Sequence, residues 1–208
     1  GGRGFTEVVV TDAGSGRYLP LLLDLSAMSS IRLERALGAD LAAALLVERF
    51  ESDMPPTLPF DPGRYQVEDG GLAVVPHASS DLEATVLAAL VAGDRFDRAS
   101  MAAYFRSVID DEAGTRERRN LALAGLAGLG EGVLSDIRTA LGDAGLTVRE
   151  RLWLALGAVA LGDAGTGRQV AADLVAAARA QVCRSDVWLR LTGERLVAES
   201  GAGETSAF

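Results

Sequence analysis

The side chains best suited to nucleophilic, acid–base or metal chemistry are scarce in this 208-residue chain. It holds one histidine, His77, and one cysteine, Cys183. All 20 basic residues are arginine, so neither a P-loop lysine nor a lysine Schiff base is available. A zinc site needs three or four His, Cys or carboxylate ligands. We therefore expect no metal and no cofactor, with Cys183 as a small buried residue and His77 as a loop residue at the surface.

Composition also limits the partners. The net charge is −9 and no basic stripe is present, which argues against nucleic acid because phosphate neutralisation supplies most of that affinity. No apolar run approaches the roughly 20 residues of a membrane span. We expect the partners to be neighbouring domains of a parent protein, or another protein.

A glycine-containing stretch near the start partly fits a nucleotide-binding turn. "VVVTDAGSGRYL" (residues 8–19) combines a predicted strand, a Gly-x-Gly and a helix start. Leu19 stands where the third glycine of the dinucleotide fingerprint is required, and no alternating strands follow. A loop that joins a leader strand to the first helix is therefore the favoured interpretation.

Most of the chain shows apolar residues at helical spacing, which predicts an all-α fold. Extended structure is expected only over residues 5–11 and 65–76, the second as a hairpin-like loop. Helices are predicted over residues 17–28, 31–50, 82–91, 97–110, 115–128, 133–145, 148–163, 167–181 and 186–200.

Internal repeats indicate how these helices are arranged. "TRERRNLALAGLAGLGEG" (115–132) matches "TVRERLWLALGAVALGDAG" (147–165) at a spacing of about 32 residues, and residues 81–105 form a weaker copy. This period is typical of antiparallel helix pairs. Each copy ends its first helix at a glycine, which favours left-handed caps at Gly93, Gly130 and Gly162.

Capping residues mark the predicted helix starts. Ser80 with Glu83, and Thr147 with Glu150, have the spacing of capping boxes. Asp97 and Thr115 are predicted to cap two further helices: the first precedes residues 98–110 and the second precedes residues 116–128.

One stretch suggests a particular fold family. "YQVEDGG" (65–71) resembles the Gln-x-x-Asp-Gly-Gly turn of α/α-toroid proteins, through Gln66, Asp69, Gly70 and Gly71. The glycine pair permits positive φ in a tight turn, and Gln66 could tie that turn to neighbouring backbone. The resemblance implies helix pairs in an α/α-toroid or a toroid-like arc, with an open solenoid as the alternative.

The nearest likeness is to the thioester-type domain of bacterial alpha-macroglobulins. "GRYLPLLLDL" (16–25) is similar to the helix that follows the reactive stretch in that family. Val10 and Ala13 stand where the reactive Cys and Gln would be, so the resemblance implies no thioester. The terpene cyclases share the toroid, but "IDDEAGT" (109–115) lacks their aspartate-rich patterns and suits a solvated helix end.

These observations predict a leader strand and loop over residues 1–15, one helical-repeat domain over 16–200 and a disordered tail over 201–208. The chain begins "GGRGF", with its first methionine at Met28, so we expect a piece of a larger protein. The expected function is a non-catalytic structural or protein-interaction domain of an exported bacterial protein, extracellular or in the cell envelope. Glu68 and His77 are the predicted contact residues. A toroid-type enzyme with a site in the ring mouth is the alternative.

Overall fold

The computed structural model describes residue 14 and residues 16–51, 59–184, 187–192 and 195–200, with side chains as far as residue 177. This described part is mostly helical, which confirms the all-α class. Its eight α-helices are α1 (Leu19–Ser26), α2 (Leu33–Phe50), α3 (Leu82–Ala92), α4 (Arg98–Asp110), α5 (Arg116–Gly128), α6 (Leu134–Leu141), α7 (Val148–Ala160) and α8 (Ala164–Arg184).

Three of these helices form a row, which we call the central row. In it, α5 packs between α3 and α7. Beside this row, α4 packs on α5, α6 packs on both α5 and α7, and α8 packs on α7. Ahead of it, α1 and α2 pack on each other, and α2 also contacts α3. Each helix of the row is thus followed in the chain by a flanking helix, as the repeats predict.

Small residues let the helices of the central row approach closely. A Cβ at Gly157 of α7 would lie 3.1 Å from Ala124 Cα and 3.2 Å from Ala127 Cβ, both of α5. On the other side of α5, Gly125 faces the ring of Phe105 in α4, which is fully buried. The abundance of Ala and Gly in the sequence therefore serves tight helix packing.

Most of the predicted helix ends are confirmed. Pro20 lies in the first turn of α1, where its missing N–H costs no helical hydrogen bond. Asp97 and Thr115 accept backbone hydrogen bonds at the starts of α4 and α5, and Thr147 forms the predicted capping box with Glu150.

Two predicted caps are wrong. The side chain of Asp81, not of Ser80, caps α3 by accepting from the Ala84 N–H at 2.8 Å. Ser80 instead donates to Asp69, a contact that local sequence does not reveal. At the helix ends, Gly130 and Gly162 have φ of +78° and +85°, whereas Gly93 has φ of −58° and starts a short 3-10 turn.

The last predicted helix is also wrong. The structure places two antiparallel strands there, β1 (Val187–Thr192) and β2 (Arg195–Ser200). The β-branched and aromatic residues of this segment favour strands, and a two-residue connection beginning with glycine is typical of a hairpin. The predicted leader strand, residues 5–11, and the predicted tail, residues 201–208, lie outside the described residues.

Candidate functional site

The Gln66–Gly71 motif forms a tight corner between the extended connection and the helices. The Gly70 N–H donates to Val67 O at 2.9 Å, and the Val67 N–H donates to Gly71 O at 2.9 Å. Gly70 has φ of +89°, which L side chains rarely adopt. An antiparallel bridge between Gln66 and Leu72 closes the corner, as expected for a hairpin-like loop.

Gln66 ties this corner to the first turn of α4. Its Nε2 donates to Asp97 O at 3.1 Å, and its Oε1 accepts from the Asp97 N–H at 3.0 Å. The side-chain amide thus pairs with both backbone groups of the residue that caps α4. This two-point pairing holds the amide in one orientation and fixes where α4 begins.

Asp69 ties the same corner to the start of α3. Its Oδ1 accepts from the Gly71 N–H at 2.9 Å, and its Oδ2 accepts from the Ser80 hydroxyl at 2.6 Å. Both carboxylate oxygens therefore have structural partners. The arrangement positions two chain segments and leaves no oxygen of Asp69 without a hydrogen bond.

Neither glycine of the corner has space for a side chain. A Cβ at Gly70 would collide with the backbone carbonyl of Ser100 in α4. A Cβ at Gly71 would lie 2.7 Å from Ser80 Cβ and 2.9 Å from the ring of Tyr104. Both glycines are required because the corner packs directly on α4.

Beyond the corner, the extended segment continues into the core. The Leu72 N–H donates to Thr85 Oγ1 at 2.8 Å, and the Asp81 N–H donates to Leu72 O at 2.8 Å. Leu72 and Thr85 are fully buried. The connection therefore anchors α3 as well as α4.

The two predicted contact residues, Glu68 and His77, lie at the surface of this connection. Both are exposed, and neither side chain makes a hydrogen bond or an ion pair within the described part of the chain. His77 has φ of +67°, in the left-handed region. They differ in this respect from Gln66 and Asp69, whose polar atoms serve the fold.

An open cleft of about 670 Å³ lies beside the corner, at the amino ends of the central row. Carboxylates outnumber guanidinium groups in its lining, which includes Asp69, Asp81, Glu83, Asp111, Glu117, Arg118 and Arg149. Arg149 bridges two repeats, because it binds Glu83 of α3 and also Glu117 of α5 at 3.2 Å. Several of the acidic groups therefore have partners within the fold.

The most perturbed buried side chain among the described residues is Glu150, at the junction of α5 and α7. Only 1% of it is exposed, and its carboxylate accepts five hydrogen bonds. Arg116 donates twice, at 2.9 and 3.1 Å, and Asn120 donates once, at 3.1 Å. The Thr147 N–H and hydroxyl donate at 2.8 and 2.9 Å.

These donors keep Glu150 ionised. The Arg116 guanidinium, followed by the Thr147 backbone and hydroxyl, lowers the pKa of Glu150 to about 2, although burial acts in the opposite direction. Arg116 also binds Asp143 Oδ2 and Gly145 O, each at 2.9 Å. One arginine of α5 thereby fixes both the loop before α7 and the first turn of that helix.

The sequence predicts only the local part of this junction, the Thr147–Glu150 capping box. Arg116 and Asn120 lie 34 and 30 residues earlier, and no sequence pattern pairs them with Glu150. Two features of the sequence bear on this pairing. Asn120 is the single asparagine of the chain, and the repeat spacing predicts that α5 lies beside α7.

A second low pKa occurs at the start of α8. The Thr166 hydroxyl and N–H, and then Arg138, lower the pKa of Asp163 to about 2. Asp163 accepts from Thr166 N at 3.1 Å and from Arg138 Nη2 at 2.7 Å. This group again joins helices, since Arg138 belongs to α6.

Trp153 is partly buried against the core. Within the residues that the structure describes, nowhere do three or more His, Cys, Asp or Glu side chains come together as a metal site. The side chain of Cys183 lies beyond the described side chains.

No helix of the described chain is both long and apolar enough to cross a bilayer.

Comparison with known proteins gives no relative. No protein-family model, no curated protein and no solved structure matches this chain.

Proposed function

We propose that this chain is a non-catalytic structural and protein-interaction domain of a larger, exported bacterial protein. In this proposal its helix pairs form an α/α-toroid or a toroid-like arc, as in the thioester-type domain of bacterial alpha-macroglobulins. The proposal rests mainly on one observation. The buried carboxylate of Glu150 accepts hydrogen bonds from Arg116 and Asn120 of the preceding repeat, so it joins one repeat to the next.

Glu150 supports this interpretation most strongly. Perturbed carboxylates cluster at catalytic sites, where a general acid has a raised pKa. The pKa of Glu150 is lowered instead, and all five donors to its carboxylate come from α5 or from the loop before α7. Such a carboxylate is ionised at neutral pH, so it has no proton to donate and is a weak base, and all of its hydrogen bonds are made within the fold.

The corner supports the same conclusion by a different route. Gln66 and Asp69 make their hydrogen bonds to Asp97, Gly71 and Ser80, all within the fold. The alternative is a toroid-type enzyme with a site in the ring mouth. The cleft beside the corner is the nearest feature to such a site, but its Glu83 and Glu117 are paired with Arg149.

The absence of a thioester is part of the proposal, because Val10 and Ala13 occupy the positions of the reactive residues in the resembling family. Incubation with methylamine should leave the intact mass unchanged. A methylamine adduct accompanied by a new free thiol would contradict the proposal.

Contact with a neighbouring domain of the parent protein is the proposed interaction, through Glu68 and His77. The test is the binding affinity for that domain, measured by calorimetry. Glu68→Ala and His77→Ala should weaken binding without changing the melting temperature, since neither side chain supports the fold. Glu112→Ala removes another exposed loop carboxylate and serves as the control.

Asp69→Ala separates the structural role from the contact role. It removes the acceptor of the Gly71 N–H and of the Ser80 hydroxyl, so the melting temperature should fall. Affinity that is unchanged in both Glu68→Ala and His77→Ala would rule out this surface as the contact.

A further inference from the structure

One exposed turn of the extended connection carries a side chain where the backbone favours glycine. The Ala78 N–H donates to Val75 O at 3.2 Å, which closes a β-turn with Pro76 in the second position and His77 in the third. Proline fixes a negative φ, whereas His77 has φ of +67°. This combination defines a type II turn, whose third residue is usually glycine or asparagine.

The backbone on both sides of the turn is held in place. An antiparallel bridge joins Ala73 to Ser80, one on each side of the turn. The Leu33 N–H, at the start of α2, donates to Val74 O at 2.8 Å. A change of φ at His77 would disturb these contacts, so the surrounding fold imposes the left-handed conformation on this residue.

This conformation costs stability at His77. In the left-handed region the Cβ of an L residue comes close to backbone oxygen, and glycine has no such cost. Gly70, Gly130 and Gly162 adopt positive φ without a Cβ, and among the described residues only Glu51 and His77 do so with a side chain. Glycine at position 77 is therefore expected to give a more stable fold.

The described part of the fold does not use the imidazole that causes this cost. His77 is exposed, and its side chain makes no hydrogen bond or ion pair with a described residue. It is also the single histidine of the 208 residues. A residue held in an unfavourable conformation without a structural role points to a function of its side chain.

Glu68, the other residue of the proposed contact, gives no such signal. It occupies the second position of the turn that Val67 and Gly70 close, and its φ is not in the left-handed region. Most residue types are compatible with that position. The backbone therefore distinguishes between the two exposed residues.

We propose that His77 is the specificity-determining residue of the contact with a neighbouring domain, and that Glu68 contributes less. The turn presents the imidazole in a fixed position, where its two ring nitrogens can hydrogen-bond to a polar group of the partner. This inference rests on the proposed function, because it needs a contact at this surface. It adds which side chain selects the partner and which chemistry the partner surface carries.

The melting temperature of His77→Gly tests the first part of the proposal without any partner. It should rise by about 2 °C, because a modest backbone strain is removed. A melting temperature at or below that of the wild type would overturn the proposal, since the imidazole would then be held by a contact within the chain.

Calorimetry with the neighbouring domain of the parent protein tests the contact. His77→Gly should lower the affinity at least about tenfold, and by more than Glu68→Ala does. His77→Asn should keep part of the affinity, because asparagine tolerates positive φ and offers hydrogen-bonding groups. His77→Phe keeps a flat ring without nitrogens, and wild-type affinity in this variant would overturn the proposed hydrogen bond.

Glu51→Gly is the matched control. Glu51 is exposed, ends α2 with φ of +50° and also stands where glycine is favoured. This variant should also melt at a higher temperature but bind like the wild type. Equal losses of affinity in Glu51→Gly and His77→Gly would overturn the role of the imidazole.

The same measurements separate this inference from the proposed function. Affinity that falls in Glu68→Ala and not in His77→Gly would overturn the assignment of His77 and leave the contact in place. Affinity that is unchanged in both variants would rule out the contact itself.

Discussion

The junction of α5 with α7 and the apolar edge of α7, which is formed by Val148, Leu152, Leu156 and Val159, occupy the same position in successive repeats, but their chemistry differs. At the junction, Arg116 and Asn120 of α5 bind Glu150 of the next helix in the row. At the edge, Val148 and Leu152 stand in place of Arg116 and Asn120, and both are exposed.

The difference shows that one repeat position can serve two kinds of contact. A polar junction selects a neighbour that presents a carboxylate at one point, because Arg116 and Asn120 would otherwise lose their partner. An apolar edge accepts any complementary apolar surface and depends on exclusion of water. We expect the junction to matter for folding, and substitutions on the apolar edge to have little effect on stability.

The largest effect should follow from Glu150→Ala. It leaves the Thr147 N–H and the buried Asn120 amide without their acceptor and Arg116 without one of its two carboxylate partners. The free energy of unfolding should fall by about 3 kcal/mol, as for other disrupted buried polar networks. Urea unfolding measures this loss.

Glu117→Ala is the control, since Glu117 is a partly exposed acid of the same row and pairs with Arg149 at 3.2 Å. Its loss should cost at most about 1 kcal/mol. Equal losses of unfolding free energy in Glu150→Ala and Glu117→Ala would show that the buried junction contributes no more to stability than a surface ion pair.

The junction should also make stability depend on pH. Folding lowers the pKa of Glu150 from 4.5 to about 2, so its contribution is complete above about pH 4.5 and is lost as the pH falls toward 2. The difference in unfolding free energy between the wild type and Glu150→Gln should shrink over that range. A difference that stays constant from pH 6 to about 2 would contradict this linkage.

A smaller effect is expected when the junction is made apolar like the edge. In Arg116→Val/Asn120→Leu/Glu150→Leu, the carboxylate is removed together with its α5 donors, and the remaining donor, the exposed Thr147, can bind water instead. Apolar replacement of a buried charged cluster is often close to neutral, so stability should lie within about 1 kcal/mol of the wild type. A triple variant as unstable as Glu150→Ala would show that the side chains act independently.

The smallest effect on stability is expected at the edge itself. Val148→Arg/Leu152→Asn gives the edge the residue types of the junction, and the change should be within about 0.5 kcal/mol because these positions face solvent in the monomer. A marked fall in the melting temperature of dilute protein would show that the edge is covered within the single chain.

Sequence was sufficient for local features and insufficient for contacts between repeats. Thr147 with Glu150, and Gly162 with its positive φ, follow from short-range rules, and both are present. The Ser80 prediction was wrong because Asp69, 11 residues earlier, takes its hydroxyl and leaves the cap to Asp81.

The sequence could predict neither the number of hydrogen bonds to Glu150 nor the exposure of the α7 edge, and the reason is the same for both. Both depend on which helix lies beside α5 or α7, and the capping rules that locate Glu150 contain no information about Arg116. The β1–β2 hairpin was missed for a related reason, because short apolar segments fit both helix and strand periods.

The most direct test of the account is the pKa of Glu150 in the folded protein, measured from the pH dependence of its carboxyl ¹³C shift, with Glu150→Gln to assign the signal. We predict a value of about 2, because the donors from α5 and Thr147 stabilise the ionised form. A value at or above the ordinary 4.5 would contradict the account: Glu150 would then be a carboxyl that takes up a proton readily, and the junction of α5 and α7 would have to be reconsidered as a site of chemistry.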